Sequence, residues 1–115
     1  MLAQANRLRR PADFRAAIRE GWRCGGRLTV VYVAPANRAA TGQEAVWQAG
    51  LVVSKAVGNS VVRHRVSRRL RAILANEMPK LPEPRRVVVR ALGAAGTATY
   101  SELERTVAKC LRKVA

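Results

Sequence analysis

Acidic side chains are scarce in this sequence of 115 residues, which carries 7 Asp and Glu against 22 Lys and Arg. Asp13 is the only aspartate, and the chain between Glu44 and Glu77 contains no acid at all. No pair of carboxylates has the spacing of a general acid and base, and none forms a cluster that would bind a metal ion. With a formal net charge of +15, the folded chain needs an anionic partner to offset the repulsion among its basic groups.

Cysteine and histidine are equally rare. Cys24 and Cys110 lie far apart without a C-x-x-C motif, and His64 is the only histidine. These residues do not provide the ligands of a zinc site. A serine paired with a base in a hydrolase motif, a phosphate loop and a dinucleotide-binding glycine pattern are missing as well. We therefore predict that the protein has no metal ligands and no catalytic site of its own.

Long apolar runs are also missing. The opening segment, MLAQANRLRR, has no apolar stretch of signal-peptide length, and no segment approaches the ~18 apolar residues of a membrane span. The cysteine count leaves a disulfide open, but without a secretory segment we expect both thiols to be free. These observations predict a cytoplasmic protein that has no membrane partner.

Arginine is the residue that the chain has in excess, since 18 of its 22 basic residues are Arg and 4 are Lys. Guanidinium groups suit bidentate contacts with phosphate and stacking on bases. The 20 Ala residues indicate that codon bias in a GC-rich genome contributes to the preference for Arg over Lys. Codon bias does not explain the shortage of acids, so the charge itself points to a polyanionic partner.

Length and periodicity predict one domain, 1–115, in which helices and strands are mixed. The chain is 49% hydrophobic, which is enough for a modest core. A first helix is expected over 11–20, and two strands are expected over 28–34 and 46–54. The polar segment 36–45 between these strands is short enough to favour an antiparallel hairpin.

The second half of the chain predicts a long helix, a strand and a final helix. The long helix follows the Gly-Asn-Ser turn at 58–60 and ends before Pro79, and 87–89 is a strand buried on both faces. A capping box of Ser101 with Glu104 begins the final helix. This order of elements predicts a two-layer α+β sandwich, with helices packed on one small sheet.

The most basic stretch of the chain, KAVGNSVVRHRVSRRLR, runs from Lys55 to Arg71. An apolar stripe that includes Val62 and Val66 follows helical spacing through it, so one face should pack while the other presents cations. Five arginines fall within nine residues: Arg63, Arg65, Arg68, Arg69 and Arg71. This density favours contact with a nucleic-acid phosphate backbone over the ordinary alternative, a solvated charged face. The N–H groups of the turn at 58–60 add a second phosphate-type site.

The strands indicate which nucleic acid is bound. A helix-turn-helix protein would be mostly helical, so the strand signals argue against DNA binding of that kind. A small sheet that exposes an aromatic side chain fits single-stranded RNA, whose bases can stack on it. The candidate side chains are Tyr32 and Phe14, for which burial in the core is the alternative.

The same stretch carries a family resemblance. Residues 55–71, with the pattern K-x-V-G-N-S-V-x-R-H-R-x-x-R-R-x-R, resemble the basic "RNR" signature of the protein subunit of bacterial ribonuclease P. The basic arm at 6–10 and the Asp13-Phe14 pair match the start of that family, and Tyr32 matches its first long strand. The resemblance covers nearly the whole chain in order.

The resemblance implies a fold and a function. The fold is an αβββαβα sandwich with an extra short strand near 22–26, a small mixed sheet and a left-handed βαβ crossover, in the class named after the second domain of ribosomal protein S5. The implied partner is a large RNA subunit, in a one-to-one complex, which cleaves the phosphodiester bond with Mg²⁺. The protein would bind that RNA and the single-stranded 5′ leader of precursor tRNA, and the product would be the mature tRNA 5′ end.

The resemblance also assigns residues to two surfaces. The residues expected to contact the RNA subunit are Lys55, Asn59, Arg63, His64, Arg65, Arg68 and Arg69. The residues expected to form the leader cleft are Phe14, Ile18, Tyr32, Ser67 and Arg71. Three of them depart from the family, because His64 stands where Asn is usual, Ser67 where Lys is usual and Ile18 where an aromatic is usual. His64 still donates and accepts hydrogen bonds, whereas the other two weaken charge and stacking at the leader.

Two alternatives to the ribonuclease P function remain. A ribosomal-type RNA-binding module of similar fold, without a nuclease role, would carry the same charge. A protein-only nuclease would need metal-binding carboxylates, which the sequence does not provide.

Overall fold

The computed structural model describes residues 4–36 and 46–114 of the chain. The described part contains three α-helices and four strands: α1 Pro11–Glu20, β1 Trp22–Gly25, β2 Thr29–Pro35, β3 Gln48–Val53, α2 Ser60–Glu77, β4 Arg85–Ala91 and α3 Tyr100–Val114. The order αβββαβα is confirmed, including the short strand β1. The polar loop predicted at 36–45 lies, apart from Ala36, outside the described residues. No helix in the described ranges is long and apolar enough to cross a membrane.

The four strands form one mixed sheet in the order β1-β2-β4-β3. Strand β4 pairs antiparallel with β2 and parallel with β3. The hairpin predicted between 28–34 and 46–54 is therefore wrong, because β4 lies between these two strands. The reason is the apolar run 87–89, whose side chains are fully buried and need cover on both faces of the sheet. A central strand obtains that cover more completely than an edge strand does.

Two hydrophobic clusters hold the helices against the sheet. Helices α2 and α3 pack on one face, where Val31 and Val89 meet Leu70 and Leu103 at 0% exposure. Helix α1 covers part of the opposite face, where Ala17 packs with side chains of β2 and β4. The predicted apolar stripe of α2 is confirmed as the buried side of that helix.

The starts of the two long helices are capped by side chains. The Asn59 carboxamide oxygen accepts the Val62 N–H at 3.0 Å, so the cap predicted in the 58–60 turn is confirmed. At α3 the Glu102 carboxylate accepts the Thr99 N–H at 2.9 Å, and the Thr99 hydroxyl oxygen accepts the Glu102 N–H at 3.2 Å. The predicted box of Ser101 with Glu104 is therefore wrong by two residues, because α3 begins at an overlapping T-x-x-E pattern.

The expectation of two free thiols is also wrong. A disulfide joins Cys24 of β1 to Cys110 of α3, and the two Cα atoms are 5.7 Å apart. The separation of 86 residues along the chain gives no local signal for this pairing. The pairing arises because β1 lies at the edge of the sheet beside the buried face of α3. The bond fixes this edge strand to the final helix.

A buried arginine links α1 to the sheet. Arg86 of β4 is 4% exposed, its Nε donates to the Pro35 carbonyl oxygen at 2.7 Å, and its Nη2 donates to the Glu20 carboxylate. A buried guanidinium without such partners would be strongly destabilising. This contact holds the end of α1 against β2 and β4.

The Glu20–Arg86 pair should make stability depend on pH. The hydrogen bond and the charge of Arg86 hold the pKa of Glu20 below its ordinary value of 4.5. A carboxyl with a lowered folded-state pKa stabilises fully above its unfolded pKa, and this stabilisation is lost as the pH falls through the folded value. We expect wild type and Glu20→Gln to differ by a constant free energy of unfolding above about pH 5 and to converge in acid.

Urea unfolding at a series of pH values measures this difference. An Arg86→Met background is the control, because the carboxyl of Glu20 then has no buried partner. The pH-dependent difference between Glu20 and Gln should vanish there, and an undiminished difference would contradict the assigned cause.

Candidate nucleic-acid interface

The start of α2 is shaped by two glycines. Gly58 has φ +152°, a conformation that L side chains rarely adopt, and a Cβ there would lie 2.9 Å from the Val62 side chain. Gly96, in the 3₁₀ turn Gly93–Thr97, approaches so closely that its Cβ would lie 2.2 Å from the Val57 carbonyl oxygen. The turn before α2 and the turn before α3 therefore pack directly against each other. This contact fixes where the first basic residues of α2 point.

Two arginines of α2 are held by the second of these turns. Arg65 Nη2 donates to the Gly96 carbonyl oxygen and Arg69 Nη1 donates to the Ala98 carbonyl oxygen, each at 3.1 Å. Both arginines are half-buried. Their guanidinium groups therefore stabilise the fold by binding the backbone before α3. The sequence alone had indicated only RNA binding for these two residues.

The remaining basic residues of α2 differ in exposure. Arg68 and His64 are exposed, as are Lys55 and Asn59 before the helix, whereas Arg63 is half-buried. We call the side of α2 that carries Arg63, His64, Arg65, Arg68 and Arg69 its cationic face. Within 4–36 and 46–114, the four ion pairs are Arg27–Glu102, Lys80–Glu77, Arg85–Glu83 and Arg86–Glu20. None involves a residue of the cationic face, so the charge of this face is not offset by these pairs.

Two polar atoms on this face are buried without a hydrogen-bond partner among the described residues. They are the Nε atoms of Arg63 and Arg65. A buried donor that remains unpaired costs about 1–3 kcal/mol, so buried donors usually have a partner, which can be an ordered water or a bound group. Val61, in the first turn of the same helix, is 72% exposed. It was not among the residues predicted from the sequence to have a function.

A second surface lies on the opposite face of the sheet, beside α1. We define the α1 cleft by Phe14 and Ile18 of α1, Tyr32 of β2, and Gly50 and Val52 of β3. Four of these side chains are half-buried and cluster with Leu8 and Val88. Gly50 is the fifth position, and a Cβ there would lie 2.4 Å from the Phe14 ring. The missing side chain makes room for that ring.

The α1 cleft receives one basic residue from α2. A small groove of about 170 Å³ is lined by Phe14, Gly50 and Arg71 together with Arg7. Arg71 and Phe14, predicted for the same surface, are therefore brought together. Ser67 is half-buried one helical turn before Arg71, and Tyr32 and Ile18 lie in the adjoining cluster.

The register of the sheet adds two arginines that sequence reasoning missed. Arg23 of β1 lies directly opposite Tyr32, and Arg90 of β4 lies opposite Val30 and Val52. Residues opposite each other share a face of the sheet, so both arginines belong to the face that carries the α1 cleft. Both are exposed. The alternation of side chains along β4 could have assigned Arg90 to this face from the sequence. Strand β1 is too short for its periodicity to assign Arg23 in the same way.

The N-terminal arm completes this surface. The Leu8 N–H donates to the Ala49 carbonyl oxygen at 3.0 Å, and Arg7 forms a parallel bridge with Ala49. This pairing covers part of the outer edge of β3 and brings Arg7 to the groove beside Phe14.

Known proteins are similar to this chain in sequence and in fold. The family model described as Ribonuclease P matches residues 2–115. The ribonuclease P protein component of Acidothermus cellulolyticus is 46% identical over 103 residues, which cover 90% of this chain and 82% of that protein. The corresponding protein of Streptomyces bikiniensis is 44% identical over 117 residues, covering 99% of this chain and 95% of that one. A solved structure of the Staphylococcus aureus RNase P protein superposes with a TM-score of 0.77 at 23% identity, covering 96% of this chain and 95% of that one.

Proposed function

Since the chain belongs to the family of ribonuclease P protein components, we propose that it binds the catalytic RNA subunit of that enzyme and the 5′ leader of precursor tRNA. It thereby assists the endonucleolytic removal of the leader. Its two partners are ribonuclease P RNA, in a one-to-one complex, and precursor tRNA. Because the precursor tRNA of a bacterium is made in the cytoplasm, the protein acts there.

The cationic face of α2 is the proposed contact with the RNA subunit. The observation that carries this assignment is the uncompensated charge of the cationic face, whose residues take part in none of the ion pairs among the described residues. Phosphate oxygens would accept hydrogen bonds from the half-buried guanidinium groups of Arg63 and Arg65 once these side chains turn toward the RNA. Lys55, Asn59, His64, Arg68 and Arg69 extend the contact along the helix and its preceding turn.

The α1 cleft is the proposed site for the leader. Phe14 and Tyr32 offer rings on which unpaired bases stack, which is how proteins usually hold single-stranded RNA. Ile18 contributes apolar contact in place of a third ring, and Ser67 contributes a hydroxyl in place of a charge. Arg71 supplies the phosphate contact from α2. Arg7, Arg23 and Arg90 surround the cleft and restore the charge that Ser67 lacks.

Catalysis is assigned to the RNA subunit. Carboxylate oxygens are the protein ligands that Mg²⁺ prefers, and the side chains of the cationic face and the α1 cleft are cationic or uncharged. These residues do not fit Mg²⁺, so we assign the ion to phosphates of the RNA subunit and the substrate. The protein residues lower the repulsion between two RNAs and hold the leader in register.

Reconstitution of the enzyme tests this function. The protein, added to the RNA subunit, should lower the Mg²⁺ concentration needed to cleave precursor tRNA, because its cations replace part of the counterion requirement. RNA that co-purifies with the protein should be ribonuclease P RNA, whereas ribosomal RNA would indicate a ribosomal-type module. Cleavage that is the same with and without the protein would refute the assignment. Cleavage by the protein alone would indicate a protein-only nuclease.

Arg63 and Arg69 should respond differently to substitution. Arg63→Ala should flatten the dependence of RNA-subunit affinity on salt by about one unit of slope, because one phosphate contact is lost. The free energy of unfolding should fall by no more than about 0.5 kcal/mol, since the Arg63 Nε has no described hydrogen bond to lose. Arg69→Ala should in addition lower the free energy of unfolding by about 0.5–1.5 kcal/mol, because the Ala98 carbonyl oxygen loses its donor.

Filter binding over a series of salt concentrations, together with urea unfolding, separates the two effects. An unchanged slope for Arg63→Ala would contradict the phosphate contact. Equal stability of the two variants would contradict the structural task of Arg69.

A further inference from the structure

A second basic surface lies at the other edge of the sheet, away from β3. We define the β1–α3 groove as the open groove of about 430 Å³ between the segment Cys24–Leu28 and helix α3. The helix contributes Arg105, Lys109 and Lys113, and the turn after β1 contributes Arg27. None of these four residues belongs to the cationic face of α2 or to the α1 cleft.

The three basic residues of α3 form a regular row. Arg105, Lys109 and Lys113 follow one another at intervals of four residues, so they lie on one side of the helix about 6 Å apart along its axis. All three are exposed. This interval is of the same order as the distance between successive phosphates of an extended single strand. The row therefore matches a nucleic-acid backbone laid along α3.

Among the described residues, Glu102 is the one acid that lines the groove. Glu102 lies 3.6 Å from Arg27, whose side chain is 71% exposed, so the ion pair is solvated and weak. The carboxylate of Glu102 is also held by Thr99 at the start of α3. The described lining of the groove thus carries four basic residues against one carboxylate, which leaves an excess of positive charge.

An exposed aromatic side chain stands at the end of this row. Trp22 of β1 is 58% exposed and, with Lys113, lines a second hollow that adjoins the groove. Trp22 lies opposite Val33 in the sheet register, so it faces the same side of the sheet as α3. More than half of this side chain is exposed, so its ring is available to stack with a bound group.

We propose that the β1–α3 groove is a second binding site for single-stranded RNA, in which the row of α3 holds phosphates and Trp22 stacks on a base. A basic groove combined with an aromatic platform is the common design for single strands, because every base has a face that can stack. The choice of RNA over single-stranded DNA rests on the proposed function. The even spacing of the row along α3 favours a phosphate backbone over an acidic protein.

The site is separate from the α1 cleft. Strands β1 and β3 are the two edges of the sheet, and with two strands between them they lie about 14 Å apart. The groove also opens on the side of α3, whereas α1 covers the opposite face. One RNA strand held in the α1 cleft therefore leaves the β1–α3 groove free for another segment.

Fluorescence of Trp22 reports on this site directly. The chain has 2 Trp, and Trp47→Phe leaves Trp22 as the only one. In that background, binding of an oligouridylate should quench the emission of Trp22. The affinity measured by this quenching should be the same when Phe14→Ala is added to impair the α1 cleft. Circular dichroism checks that each variant is folded.

A charge reversal and a charge-matched control test the row. Lys109→Glu with Lys113→Glu should weaken oligouridylate binding at least about tenfold and lower the salt slope by about 1.4, for two lost phosphate contacts. Arg112→Glu with Lys80→Glu changes the net charge equally but lies outside the groove lining, and should leave affinity within about twofold. Failure to quench Trp22, or equal loss in both double variants, would overturn the proposal.

The source of the strand is separated by two further measurements on the same variants. Weaker binding of ribonuclease P RNA by the Lys109→Glu, Lys113→Glu protein would identify a single-stranded segment of the RNA subunit. Weaker binding of precursor tRNA by the reconstituted enzyme, with RNA-subunit affinity intact, would identify the substrate. No effect in either assay would overturn a role for the groove in the enzyme. Quenching by oligouridylate does not depend on cleavage, so this proposal and the proposed function can fail separately.

Discussion

Gly58→Ala should lower the free energy of unfolding by about 2–4 kcal/mol and the affinity for the RNA subunit by more than about tenfold. The φ of +152° is strained for any residue with a Cβ, and that Cβ would also lie 2.9 Å from the Val62 side chain. Relief of this contact must move the turn before α2. The Asn59 cap and the cationic face would move with it, so stability and RNA binding should fall together.

Gly25→Ala is the matched control for this substitution. A Cβ at Gly25 would meet nothing within 4 Å, and its φ is not positive. Its stability should stay within about 0.5 kcal/mol of wild type. Urea unfolding and filter binding to ribonuclease P RNA measure both quantities. A Gly58→Ala protein as stable as the control would show that the turn tolerates a side chain.

Gly50→Ala should reduce the affinity for precursor tRNA by about tenfold to a hundredfold, which corresponds to the loss of about one to two stacked bases. The new Cβ would lie 2.4 Å from Phe14 Cε1 and Cζ, the far end of a side chain that can rotate away. The ring would then leave its place in the α1 cleft. Because the ring can move, stability should suffer less than it does in Gly58→Ala.

Mature tRNA is the internal control for Gly50→Ala, because it lacks the leader that the α1 cleft is proposed to hold. Equilibrium binding by the reconstituted enzyme should show a loss for precursor tRNA and none for mature tRNA. An equal loss for both RNAs would mean that Phe14 supports the fold and not the leader.

The elements with strong periodicity were predictable from the sequence. The bounds of α1 and the buried stripe of α2 follow from local spacing, and the structure confirms them. The neighbours of β2 and β3 were not predictable, because pairing depends on β4, which comes more than thirty residues after β3 in the chain. The disulfide was missed for the same reason, since only the assembled sheet brings Cys24 to Cys110.

The candidate sites were predictable in composition but not in detail. Charge density alone points to α2, yet it does not distinguish Arg68, which is exposed, from Arg69, which is bonded to the Ala98 carbonyl oxygen. That distinction needs the position of the turn before α3. The assignments of individual residues to the RNA subunit and the leader stay predictions until the variants above are measured.

The central place of β4 has a consequence for synthesis on the ribosome. The strand that completes the sheet is the last one translated, and β3 pairs with it along its whole length. Among the described residues, and apart from its bridge with Arg7, β3 has no strand partner in the nascent chain until β4 begins to emerge. Helix α2 is translated before β4. The sheet against which α2 packs can therefore be completed only after α2 has been made. The surface that meets RNA therefore acquires its final geometry late in translation, after its arginines are already outside the ribosome.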